Sequence, residues 1–375
     1  MQFDSRQGRT WACAIAFALA ALFTDARAQI LIGQTAGFTG PVATGVKETT
    51  DGARLWIDAV NARGGVNGQT VELVSVDDKF EPALGAKNAT QLIVERGVLA
   101  IFLTRGTPNS EALLPVIEQH GVPLIGPSTG AMVLHHPVKK RVFNVRATYQ
   151  REAEKAVEHL HTLGIQRIAV VHADDSFGRD ALEGANKGFS RLKFSPAAVL
   201  RADRNQPDYA QIIPPISAAR AQAVLWMGSA KGVADGVRAL RAAKSAAQVV
   251  TLSNNASSGF IKLLGDHARG VMVTQVFPNE RSIASPMVKE ALDLAKAKNM
   301  ALSPAMLEGF AAAKVLVEGL RRAGKNPTRE KLQAALEAMS SYNLGGLEVS
   351  YSPNDHTGLD FTDLSIVDFE GRFVR

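Results

Sequence analysis

The sequence predicts an α/β protein built on parallel sheets, and two observations carry that prediction. Apolar runs of strand length, rich in β-branched residues, recur from Gln29 onward; their near-continuous hydrophobicity marks strands covered on both faces, as in parallel sheets. Between them lie amphipathic stretches of helical period, and such strand–helix alternation is the pattern of α/β architecture.

The elements follow in order. "ILIGQT" is the first strand and "VKETTDGARLWIDAVNAR" the first helix; "GGVNGQ" then turns the chain into "TVELVSV". "PALGAKNATQLIVERG", "VLAIFL", "SEALLPVIEQHG" and "VPLIG" continue the alternation. "REAEKAVEHLHTLG" precedes "RIAVVHA", and "QAVLWMG", "VADGVRALRAAK", "QVVTLS" and "GVMVTQV" complete it. The last third changes character. "SPMVKEALDLAKAKNM", "SPAMLEGFAAAKVLVEGLRRAG" and "TREKLQAALEAM" read as three successive helices with Ser or Thr at their N-caps. Short strand-like pieces, "LEVSY" and "LSIVDF", follow. A run of this length with a helical coda implies two lobes joined by several crossovers, and no repeat is visible in the sequence.

The first 28 residues stand apart. Arg6 and Arg9 precede the apolar "WACAIAFALAALF", and Ala26-Arg27-Ala28 supplies a small-x-small exit before Gln29. This is the form of a secretory signal peptide; the apolar core is shorter than the roughly 20 residues a membrane span needs. No twin-arginine pair is present, so Sec export to the periplasm is expected. The single cysteine, Cys13, lies inside that core and away from the cleavage point. The remaining chain has no thiol, which excludes disulfides, thiolate metal sites and cysteine catalysis. Stability rests on hydrophobic cores, which a chain of this length forms most readily as two domains.

The whole chain carries a formal charge of +6, with 42 basic and 36 acidic side chains. Residues 1–28 hold three of the former and two of the latter, leaving +5 from Gln29 onward. The densest basic run, Lys139 to Arg141 in "HHPVKKRVF", reads as a solvated loop between strands. An exported chain without aromatic residues among its basic ones is no nucleic-acid binder. The adjacent His135 and His136 are read with this solvated loop, and no third ligand stands at metal-binding spacing. "GFTGPVATG" lacks the P-loop lysine and the third glycine of a dinucleotide fingerprint. No metal and no cofactor is expected.

Gly126-Pro127-Ser128-Thr129-Gly130 fits G-x-S-x-G, the nucleophile elbow of serine hydrolases. An elbow needs a supporting helix after the serine, whereas "AMVLHHP" is stopped by Pro137. Ser128 is therefore read as a hydrogen-bond donor, with the hydrolase kept as a rival. A carboxylate meeting hydroxyls and free N–H groups at a helix N-terminus, with glycines permitting close approach, is sound binding chemistry.

Several stretches together resemble the periplasmic solute-binding proteins of ABC importers, in the leucine/isoleucine/valine-binding (type I) family. They are the opening "ILIGQTAGFTGPVATGVKETTDGARLWIDAVNARGGVNGQTVELVSVDD", the mid-chain "RIAVVHADDSFGRDALEG" and the closing "SPNDHTGLDFTDLSIVDFEGRFV". The similarity runs in order over the whole chain after the signal. It implies two doubly wound, Rossmann-like lobes joined by three crossover strands, residues 29–146 with 276–350 and residues 147–275 with 351–375. The solute would lie between the lobes and be delivered to an inner-membrane ABC permease, with no bond made or broken.

The resemblance also implies a site. Thr107 in "LTRGTPNSEALLP" and Ser128, Thr129 and Gly130 match the positions that bracket the ligand carboxylate. Phe177 stands where the family commonly has an aromatic residue, Phe38 is a candidate wall from the first lobe, and Ser229 and Asn255 follow strands of the second. Asn255 is the departure: amino-acid-binding members generally have a carboxylate nearby for the ligand ammonium, and "SNNASS" offers only amides and hydroxyls. Either Asp174 or Asp175 compensates, or the ligand has no ammonium group. The expected ligand is a small carboxylate: a hydrophobic or branched-chain amino acid, or a related organic or aromatic acid. A ligand sensor feeding a membrane receptor would need the same clamshell, and a monomer is the simpler expectation for a shuttle.

Overall fold

The computed structural model describes residues 29–375, so the expected export signal lies outside the described residues. The strands are β1 (Gln29–Ala36), β2 (Thr70–Asp77), β3 (Ala100–Phe102), β4 (Leu124–Ile125), β5 (Val142–Phe143), β6 (Ile168–Ala173), β7 (Ala198–Ala202), β8 (Ala223–Met227), β9 (Gln248–Thr251), β10 (Met272–Gln275), β11 (Tyr342–Asn343), β12 (Glu348–Val349), β13 (Asp363–Val367) and β14 (Phe373–Val374). One sheet, wholly parallel, has the order β2-β1-β3-β4-β5. The other has the order β14-β13-β10-β9-β8-β6-β7, parallel except where β13 and β14 add an antiparallel edge. β11 and β12 pair as a small separate ribbon.

The repeat absent from the sequence is present in the topology. Read from β6, the parallel part of the second sheet repeats the 2-1-3-4-5 order of the first. In such sheets the strand order reverses beside the first strand, and ligands bind beyond the carboxyl ends there. Both lobes therefore turn the same kind of loop toward the cleft.

Helices cover both sheets: α1 (Ala43–Ala62), α2 (Pro82–Val94), α3 (Thr107–His120), α4 (Tyr149–Thr162), α5 (Ser176–Leu192), α6 (Tyr209–Ala218), α7 (Ala230–Ala242) and α8 (Ser258–Leu264). The C-terminal trio is α9 (Pro286–Ala297), α10 (Pro304–Arg322) and α11 (Arg329–Glu337). Ser303 and Thr328 accept from Met306 and Lys331 N–H and cap α10 and α11, while Ser285 makes no such bond at α9. α10 is buried nearly all round, the mark of an interior helix. Gly52 and Gly309 let it seat on α1 backbone to backbone, because a β-carbon on either would collide with the Met306 or Thr49 carbonyl. No described helix is long and apolar enough to cross a membrane.

One core gathers α1, α10 and the first sheet, and takes in Val145, Ala147, Val276, Phe277, Tyr351 and Leu359. The second sheet has a core on each face, reached by Tyr149, Val273 and Leu364. The chain thus passes between the cores near 147–149, 273–276 and 359–364. Tyr351 packs edge-on against Phe143 and donates to the Asn144 carbonyl, which carries the first core past the expected limit at residue 350.

The solvated loop expected at His135 is corrected. His135 is 5 % exposed, closing a turn of 3-10 helix over Met132–Leu134, and only His136 faces solvent. Burial, reinforced by the Arg146 charge against a weaker pull from Asp355, lowers its pKa to about 4. The ring is neutral at physiological pH.

Candidate functional site

The site is assembled from loops that leave the carboxyl ends of the strands. After β2, Asp77 accepts from Lys79 N–H at 2.9 Å and Asp78 from Phe80 N–H at 2.8 Å. These local carboxylate turns hold Lys79 and Phe80 at φ of 53° and 63°, in the left-handed region. Asp77 is also tied to the Thr39 hydroxyl at 2.7 Å. The result aims the Phe80 ring over the loop that follows β3, where Leu103 (φ 55°) and Gly106 (φ 87°) make a second unusual path. Between those two residues sits Arg105.

Arg105 is 5 % exposed. Its Nη1 donates to Ser128 Oγ at 2.9 Å and its Nη2 to the Asn254 carbonyl, on the other side of the cleft. Among the described residues, no carboxylate lies within ion-pairing distance of it. The opposite wall is built from the second lobe. Asp175 caps α5 by accepting from Gly178 N–H at 3.0 Å, which fixes Phe177 in the first turn. Phe177 meets Tyr149 edge-on, with centroids 4.8 Å apart. Arg204, from the loop after β7, ion-pairs with Asp175. Its Cζ lies 5.0 Å from the ring centroids of both Phe80 and Phe177. Burial lowers the Arg204 pKa, and the nearby Arg105 adds to that against Asp175.

The cavity so formed is lined by Val42, Phe80, Arg105 and Gly106 on one side. Tyr149, Phe177, Arg204, Gly228, Ser229 and Asn254 line the other. It encloses about 20 Å3, space for a single water. Among the described residues, no acidic side chain lines it.

Of the residues singled out in the sequence, Phe177 and Ser229 line this cavity. The Ser229 hydroxyl is engaged, accepting from Gly232 N–H at 3.3 Å to cap α7 and donating to the Arg204 carbonyl at 3.2 Å. Ser128 stands one layer back, accepting from Arg105, and its backbone bridges that of Arg105. Thr107 and Thr129 hydroxyls bond to one another at 2.7 Å. Gly130 lies against the first crossing, where a β-carbon would stand 2.5 Å from the Ala147 carbonyl. Phe38 packs beside Ala36, Val42, Val46 and Phe80, outside the lining. Asn255 is fully buried, its amide donating to the Gly228 carbonyl at 3.1 Å and Thr251 Oγ1 at 2.8 Å; its neighbour Asn254 faces the cavity. Asp174 is bound to the surface at Arg201.

Sequence reasoning missed Arg105, Arg204, Phe80 and Tyr149, and with them Val42, Gly106, Gly228 and Asn254. A signal existed for Arg105, an arginine between a strand end and a glycine in "LTRGT". Nothing in "ADRNQPD" or "DDKFEP" marks the other loops.

Further contacts tie the lobes together around the cavity. The Glu48 carboxylate of α1 accepts from Ser258 and Gly259 N–H at 3.0 and 2.7 Å, at the start of α8. Glu111 of α3 accepts from the Ser176 hydroxyl of α5. Where the chain crosses, Arg146 is paired with Glu152, approaches Glu308 at 3.9 Å, and donates to Ser253 Oγ at 2.7 Å. Glu152 also accepts from Ser253 N–H and the Thr274 hydroxyl, so the network spans two of the three crossings. Among the described residues, no group of three or more His, Cys, Asp or Glu side chains is placed to hold a metal ion.

The family described as periplasmic binding protein matches residues 29–367. A Leu/Ile/Val-binding protein homolog of Brucella melitensis is 26 % identical over 332 residues, covering 86 % of this chain and 87 % of its own. The Leu/Ile/Val-binding protein of Escherichia coli is 23 % identical, with 82 % and 83 % covered. Among solved structures, a possible leucine/isoleucine/valine-binding protein from Rhodopirellula baltica superposes with a TM-score of 0.86 at 26 % identity, over 93 % of this chain and 96 % of its own. A substrate-binding periplasmic protein from Ralstonia solanacearum gives 0.83 at 31 % identity, over 92 % and 99 %.

Proposed function

The chain belongs to the periplasmic binding protein family, in its type I leucine/isoleucine/valine-binding branch, and from that premise we propose that it is the periplasmic solute-binding component of an ABC importer. It captures a small carboxylate-bearing solute between its lobes, closes by a hinge at the three crossings, and presents the closed form to an inner-membrane permease. It makes and breaks no bond.

The observation that carries the ligand class is Arg105. A buried guanidinium without a carboxylate partner is costly, and a bound carboxylate would supply the missing charge through the two-pronged geometry that arginine favours. Ser128 and the Asn254 carbonyl hold that guanidinium in place. Val42, Phe80, Tyr149 and Phe177 offer apolar faces to the rest of the solute. An ammonium group would find no acid in the lining, and Asp175 is engaged by Arg204. The reading is therefore a keto, hydroxy or aromatic carboxylate in preference to an amino acid.

The test is a thermal-shift titration of the chain from Gln29. Leucine and phenylalanine are compared with 4-methyl-2-oxopentanoate, phenylpyruvate and benzoate. A ligand at about 1,000 times Kd adds about 4 kcal/mol, a shift of several degrees. Shifts with the acids that vanish in R105Q support the proposal. A shift with the amino acids alone overturns the ligand class.

A further inference from the structure

The two cavity arginines reach across the cleft in opposite directions. Arg105 belongs to the first lobe and donates to the Asn254 carbonyl of the second. Arg204 belongs to the second and lies over Phe80 of the first; its Nη1 would stand 3.6 Å from a β-carbon on Gly106. Closing the lobes thus brings two guanidinium groups toward one small, poorly hydrated space. Among the described residues, the one carboxylate ion-paired with either is Asp175, on Arg204. Arg204 Nε ion-pairs with Asp175 Oδ2, and among the described residues its buried Nη2 has no hydrogen-bond partner. Like charges in a low-dielectric cleft repel strongly.

We infer that Arg204 is a second carboxylate-binding residue, so that the solute's carboxylate is clamped between guanidinium groups from the two lobes and itself drives closure. The inference rests on the carboxylate reading above and adds the mechanism. Without an anion, the approach of Arg204 to Arg105 opposes closure. With one between them, the repulsion becomes two charge-assisted attractions, each to a different lobe. Such an anion binds the closed form far better than the open one, which is the differential affinity a population shift requires. Arg204 is also the wall that can yield to admit the solute. Its side chain has several rotatable bonds, and its loop is exposed at Asp203, Asn205 and Gln206. Neutral analogues of the same shape would fail to close the lobes.

The test compares wild type, R204Q, R204K and R105Q by calorimetric titration with benzoate and 4-methyl-2-oxopentanoate, and by small-angle scattering with and without each. The expected result is wild-type binding with a fall in radius of gyration. R204Q should bind about ten- to a hundred-fold weaker, the worth of a hydrogen bond to a charged group, without ligand-induced compaction. Unliganded R204Q should be no more open than unliganded wild type, because the repulsion is gone. R204K keeps the charge without the fork and should fall between; it carries the test if R204Q fails to fold. Wild-type affinity and compaction in R204Q or R204K, with binding lost in R105Q, overturns this inference and leaves the carboxylate reading standing. A wild type that binds neither acid overturns both.

Discussion

Phe80 and Gly106 compete for one position. A β-carbon on Gly106 would stand 2.6 Å from Phe80 Cε2, and the Gly106 backbone, at φ 87° and ψ 143°, is one that other residues avoid. The two strained loops of the first lobe are therefore interlocked, and the placing of Phe80 in the cavity wall depends on a missing side chain. G106A is expected to lower stability by roughly 1–3 kcal/mol through backbone strain and to weaken carboxylate binding by displacing the ring. Urea denaturation read beside a benzoate titration separates the two effects.

Two buried groups tilt the stability–pH curve in opposite directions. Burial, offset by hydrogen bonds from Phe80 N–H, Asn109 and Thr35, raises the Asp78 pKa to about 6. An acid whose folded pKa lies above its unfolded value of about 3.9 loses stability as pH rises through that window, here by roughly 3 kcal/mol at most. His135, lowered to about 4, does the reverse: stability falls as pH drops from about 6.5 through 4. Relative to wild type, D78N should gain stability between pH 4 and 7, and H135N should gain it between pH 6.5 and 4. Urea midpoints at pH 4.5, 5.5 and 7 test both signs; parallel curves for D78N and wild type would contradict the first.

Glu48 joins the two lobes with two charge-assisted hydrogen bonds to the start of α8. E48A removes both without touching the cavity lining. The apparent Kd for a bound carboxylate should rise about tenfold or more, since only the closed fraction binds tightly. Scattering should show incomplete compaction at saturation. Unchanged affinity would mean that other contacts set the closed state.

Ser128 is expected to remain unlabelled by a fluorophosphonate probe, because its hydroxyl serves Arg105 instead of a histidine base. S128A should leave the fold intact and weaken carboxylate binding about fivefold, the effect of one hydrogen bond of ~1 kcal/mol. Covalent labelling of the wild type, lost in S128A, would revive the hydrolase.

Periodicity made the architecture legible. The long strands, the amphipathic helices and the C-terminal trio all stand where their patterns lie, because burial of whole faces leaves a repeating trace in the sequence. β4 lies in "VPLIG" and was readable there, whereas β5 is a two-residue strand too short for any period, and it surfaces only through pairing. "GGVNGQ" was readable as a turn, with Gly64, Gly65, Asn67 and Gly68 all at positive φ.

The site was legible in position but only partly in residue, at Phe177 and Ser229. Loops after the strands were the right place to look, yet the side chains that enter the cavity are selected by backbone turns at Leu103, Lys79 and Phe80. None of these is glycine, so nothing in composition announces a left-handed residue there. Thr107 and Thr129 illustrate the same limit: hydroxyls suited to a ligand can as well satisfy one another.

The seating of α10 on α1 has a mechanical meaning. With Gly52 and Gly309 admitting backbone against backbone, the two longest described helices behave as one stiff beam. α1 bears Glu48 at its cleft end, so the fastening contact cannot shift without carrying the whole first lobe along. In the hinge proposed above, a pull on Glu48 would be converted into rotation about the crossings, as by a lever arm. Loosening that seam, far from the solute, would let the fastening slip while the cavity stayed intact.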